Sequence, residues 1–181
     1  MLYAFGFERL GVVVGDLYFV DPAPLPGQES PERGVRLELR VLEGGEPPGS
    51  LYAARPITVG RPLWRVDLLQ DAHAAPHTFD RTHHHPGFTD WDPGPRVFVE
   101  ELTRDPLAWL TGKLTDLPAL LKETGIASDD IPAADADALR TAAPEITDTV
   151  RRLLERVWSG ELGRPPTGTG PSATSVRAGW L

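Results

Sequence analysis

The chain has 181 residues, no cysteine and a formal net charge of −8. Without cysteine there is no disulfide, no thiolate-held zinc or iron–sulfur cluster, and no thiol nucleophile. Residues 1–100 carry 14 acids against 9 arginines, and residues 101–181 carry 12 acids against 9 bases, so neither half offers the basic footprint that binding to nucleic acid requires.

The start, Met1 to Glu8, has no basic segment followed by a long apolar run, so no signal peptide is expected. No stretch approaches the roughly 18 apolar residues of a membrane span. The expectation is a cytoplasmic protein without membrane contact. The bias towards Arg over Lys, with abundant Ala, Gly and Pro, suggests a bacterial gene of high GC content.

The first hundred residues read as strands. Leu2–Phe7 and Gly11–Val20 are rich in aromatic and β-branched residues. In Gly34–Leu42, apolar Val35, Leu37, Leu39 and Val41 alternate with Arg36, Glu38 and Arg40. That period of two predicts a half-buried antiparallel strand with a solvated charged face. Residues 43–49 are turn chemistry, so Leu51–Val59 is expected as the return strand of a hairpin. Pro56 within it implies an edge or a bulge. Leu63–Leu69 is a further strand, with Arg65 and Asp67 on one face and Trp64, Val66 and Leu68 on the other.

Residues 70–95 hold all five histidines and four prolines. A loop of that length in a folded domain is more often functional or mobile than a plain connection. Arg96–Val99 reads as a short strand. Beyond residue 103 the pattern turns helical. Asp105-Pro106 and Asp116 are N-cap signals, opening helices to about Leu114 and Glu123. Ala133–Ala142 is a short helix. Pro144–Ser159 carries a single stripe of Ile146, Val150, Leu153, Leu154, Val157 and Trp158. The expected fold is α+β: an antiparallel sheet or half-barrel, then three or four helices. Residues 1–162 form one domain, β-rich over 1–100 and helical over 103–160. Residues 163–181 are a Pro/Gly/Ser-rich tail ending in Trp180-Leu181. These two apolar residues are candidates to anchor the tail on a protein partner or a second copy.

The histidines carry the strongest chemical signal. In an extended segment His83 and His85 point the same way and His84 the other. Two imidazoles on one face can share a metal ion, with Asp80 or Asp90 as the preferred third ligand and His73, His77 or Asp92 as alternatives. Imidazole with carboxylate suits one divalent Zn, Fe, Mn or Ni ion. The pair resembles the first histidine pair of the cupins, whose pattern implies an acid a few residues on. Asp90 or Asp92 would fill that place. The bland alternative is a loop of exposed histidines.

A second constellation is Arg65 and Asp67 on a strand, followed by an irregular loop and then His83 and His85. The order resembles TumE-type toxins of toxin–antitoxin pairs. That resemblance implies metal-free RNA cleavage, with Arg65, Asp67, His83 and His85 as the positions carried over. The alternative is an Arg–Asp pair on the wet face of a sheet. The nucleotide-binding glycine motifs, the nucleophile elbow and H-E-x-x-H are all missing, so no nucleotide cofactor is expected. Three function classes remain: a non-catalytic interaction or accessory protein, a small metal-dependent enzyme using loop 73–92, and a metal-free acid–base enzyme.

Overall fold

A computed structural model describes residues 1–24, 26–126 and 131–165. Trp180 and Leu181 lie outside the described residues. The N-terminal part is an open five-stranded antiparallel sheet in the order β1-β2-β3-β4-β5. Its strands are β1 Leu2–Gly6, β2 Leu10–Phe19, β3 Glu32–Gly44, β4 Ile57–Asp71 and β5 His83–His85. A small hairpin follows, β6 Phe88–Thr89 with β7 Asp92–Pro93. Four helices follow among the described residues: α1 Glu100–Arg104, α2 Pro106–Thr115, α3 Leu117–Thr124 and α4 Ala133–Trp158. Among the described residues no helix is long and apolar enough to cross a membrane.

The alternation in the sequence sorts the sheet's two faces. Val12, Val14, Val35, Leu37, Leu39, Trp64, Val66 and Leu68 form one buried core with Leu110, Leu114, Ile146, Val150, Leu153 and Val157 of the helices. The side chains of Asp105 and Asp116 accept from the amides of Ala108 and Ala119, capping α2 and α3 as their sequence positions require. Gly34 is forced by close approach between strands, since a Cβ there would lie 1.9 Å from the Leu68 carbonyl oxygen.

Four expectations are corrected. Residues 51–56 are not strand. β4 instead runs unbroken from Ile57 to Asp71, with bulges where Arg40 pairs with Pro62. The bulges absorb Pro62, which has no amide hydrogen to give to a regular ladder. Residues 96–99 contribute a single bridge, Val97 to His84, rather than a strand. Finally, Ala133–Ala142 and Pro144–Ser159 are one helix of 26 residues. Pro144 removes one main-chain hydrogen bond. The stripe continues on both sides of it, through Leu139 and Ala143 into Ile146 and Val150, all fully buried.

The sheet's charged face is the fourth correction and matters most for function. It is not solvated: Glu32, Glu38, Arg40 and Asp67 are all buried. Residues 86–98 fold back over it. Trp91 packs on the Arg40 guanidinium and Phe88 on that of Arg65. Arg96 reaches Glu32 and Asp21.

The turn between β1 and β2 is fastened to α4 by one side chain. The buried Asp135 carboxylate accepts from the amides of Glu8 and Arg9, both at 2.9 Å. Asp135→Ala leaves two donors without partners and should cost about 2 kcal/mol. A denaturant titration measures it, and a loss below about 0.5 kcal/mol would show that the turn finds water instead.

Candidate functional site

Strand register builds the site. In the β3–β4–β5 ladder Arg36 stands opposite Asp67, and Asp67 opposite His83. One step along, Glu38 stands opposite Arg65, and Arg65 opposite His85. Six polar side chains therefore share one face at cross-strand contact distance. His84 points the other way. Its Nδ1 accepts from Trp64 Nε1 at 3.3 Å, and its ring packs edge-on against Trp109. Burial first, and Lys113 second, lower the His84 pKa.

Asp67 is the centre. Its side chain is 1% exposed. Arg36 Nε donates to Oδ1 at 2.7 Å and Arg36 Nη2 to Oδ2 at 3.2 Å. Arg65 Nε is 3.1 Å from Oδ2. His83 Nε2 lies 3.4 Å and His85 Nε2 3.7 Å from the same oxygen. Burial by itself would raise the Asp67 carboxyl. Arg36, the His83 hydrogen bond and Arg65 outweigh it and hold the group well below the usual carboxylate range.

The two arginines are not equivalent. Burial opposes the charge on each. Asp67 more than compensates at Arg36, whose pKa is raised. At Arg65 the compensation falls short, because Arg36 repels it, and its pKa is lowered. Arg65 Nε also carries no aligned hydrogen bond despite its burial. Of the two arginines on Asp67, Arg65 is the less firmly held.

The histidines differ in the same way. His83 Nδ1 contacts the Arg81 carbonyl at 2.8 Å, and its Nε2 faces the Asp67 carboxylate. Both partners are acceptors, so whichever ring nitrogen carries a proton finds an oxygen to receive it. His85 Nδ1 contacts the Gly94 carbonyl at 2.7 Å, while its Nε2 meets Arg65 Nη2 at 2.8 Å. One partner accepts and the other donates, which suits a neutral ring with its proton on Nδ1. Burial, then Arg65, hold the His85 pKa down to about 4. The two rings are edge to face, 5.0 Å between centroids.

Asp67, His83 and His85 each place a possible ligand atom within 4.8 Å of the others, and no other such trio appears among the described residues. The expected third ligands do not join them. Asp80 Oδ1 accepts from the Asp71 amide and from Thr78 Oγ1. Asp90 sits at a φ of 54° in the exposed β6–β7 turn. The His77 ring packs on Trp158, 3.8 Å between centroids. The carboxylate instead comes from β4, through the ladder rather than through nearness in sequence. A 2-His-1-carboxylate trio suits a divalent transition metal. Here an ion would sit beside two guanidinium groups, and one of them already holds His85 Nε2.

Sequence reading grouped Arg65, Asp67, His83 and His85 but missed Arg36 as the main partner of Asp67. The signal was the β3–β4 register, which depended on the hairpin's exact pairing. No family model, curated protein or solved structure matches this chain.

Proposed function

We propose that this chain is a metal-independent acid–base enzyme acting on an anionic substrate. The single observation supporting this is the unlike hydrogen-bond environments of two adjacent histidines. His83 lies between two acceptors, and His85 lies between an acceptor and a donor. An acid and a base poised together, with their protonation set by environment, are what proton-transfer catalysis needs. Arg65 is the anion clamp. When its guanidinium turns to a substrate anion, His85 Nε2 is freed as the base. Asp67 holds His83 as the acid. Four charged groups, Glu32, Glu38, Arg40 and Asp67, are buried on one sheet face; such groups contribute little to stability, which favours a use for them beyond folding.

Untagged protein in excess chelator should hydrolyse at least one of a panel of chromogenic phosphate, phosphodiester and sulfate esters. His85→Ala and His83→Ala should each lower the rate about 100-fold or more with the circular dichroism spectrum unchanged. Activity that needs added Zn or Mn would replace this reading with the metal-dependent one. Gel-shift assays near physiological salt should show no tight binding of generic RNA or DNA, because both halves of the chain are acidic. The substrate is then a small anion rather than a long polyanion.

A second reading is a non-catalytic interaction protein. It is supported by the saturation of all four ring nitrogens within the chain, and by exposed Leu51, Tyr52 and Ile57 around the β3–β4 connection. It expects no turnover of any ester, and loss of a partner rather than loss of rate when those three residues are made polar.

A further inference from the structure

We infer that the anion taken by this site is the phosphate of an ester whose organic part carries a flat aromatic group, clamped by Arg65 and stacked on Phe98. The inference rests on the acid–base reading and deepens it. Phe98 is 50% exposed, yet its ring centroid lies 5.5 Å from that of His83. It ends the segment that covers the charged face, one residue after the Val97–His84 bridge. A large aromatic face open to solvent beside a buried proton donor is a platform for a planar ligand.

Arg65 supplies the other end. Its side chain is 12% exposed, and its Nε faces Asp67 Oδ2 at 3.1 Å without an aligned hydrogen bond. Its Nη2 meets His85 Nε2. A planar fork of donors fits the oxygens of a phosphate.

The acid–base pair fits displacement at phosphorus. Water gives a proton to His85 Nε2 while its oxygen forms the new P–O bond. The P–O bond to the leaving alcohol breaks, and that oxygen takes a proton from His83 Nε2. One proton is taken and one given, so the pair is restored by transferring a proton from His85 to His83 through solvent.

The test is calorimetric titration of the full chain at pH 7 in chelator with three probes: inorganic phosphate, ribose 5-phosphate and AMP. The last two differ only by the base. AMP should bind about 10-fold tighter or more than ribose 5-phosphate, the scale of one base–aromatic stack. Phe98→Ala should erase that difference. Phe98→Leu, which keeps an apolar side chain against His83, should erase it too. Arg65→Gln should weaken all three probes together. Equal affinities for AMP and ribose 5-phosphate, or a ratio indifferent to Phe98, overturn the aromatic assignment while Arg65-dependent phosphate binding leaves the acid–base reading standing. No binding of any probe, with Arg65→Gln indistinguishable from wild type, overturns both.

Discussion

Asp67→Asn should destabilise the protein by about 3–5 kcal/mol, the scale for breaking a buried ion pair from one side. Arg36 and Arg65 would keep their charges in a layer that water barely reaches. Each now relies on the same carboxylate, at 2.7 and 3.1 Å. His83 would also lose the acceptor for its Nε2. Asn matches the shape of Asp, so the loss reports charge rather than a cavity. Removing both sides of the main pair gives the contrast. In Arg36→Met with Asp67→Leu, the Arg36 charge goes with its partner while Arg65 still lacks the carboxylate, so only part of the loss should be recovered. Guanidinium unfolding of the three proteins measures this. A cost below 1 kcal/mol for Asp67→Asn would show that the covered face opens to water in solution.

Lowering the pH from 6.5 to 4 should remove about 3 kcal/mol of stability through His85 alone. In the unfolded chain its imidazole takes up a proton near 6.5. In the folded chain burial and Arg65 hold it off until about 4. The unfolded state therefore binds more protons throughout that window, and stability falls as pH falls. His84, also lowered by burial, adds in the same direction. Asp67 adds its own loss below the ordinary carboxylate range, since its folded pKa is depressed. Glu32 works against these. Burial raises its pKa despite Arg96, so protonating it in acid relieves the folded state. His85→Gln should flatten the slope between pH 6.5 and 4. A slope unchanged by His85→Gln would mean that the folded ring takes up its proton as readily as the unfolded one.

Much of the fold follows from local pattern. The alternation in residues 34–42 and 63–69, the caps at Asp105 and Asp116, and the stripe from Ile146 to Trp158 all mark elements that the structure contains. Each is a short-range signal, because backbone geometry repeats every two or 3.6 residues and burial then selects the apolar side. The opposed directions of His83 and His84 follow from the same two-residue period. That Arg65 shares a face with Asp67, and His83 with His85, was also legible through strand parity; that the two pairs meet is set by the β4–β5 register.

The tertiary structure decided what those residues meet. Alternation says that Arg36, Glu38 and Arg40 lie opposite the core; it does not say that residues 86–98 will fold over them. Arg36 and Asp67 are 31 positions apart and meet because the β3–β4 register sets them opposite each other. Asp80 and Asp90 lie nearer to the histidines in sequence, yet turns spend them elsewhere while β4 delivers Asp67 from across the ladder. Sequence distance governs only local geometry. Hydrogen-bond pairing between strands brings remote side chains to contact distance, and burial then turns ordinary charges into groups with altered proton affinity.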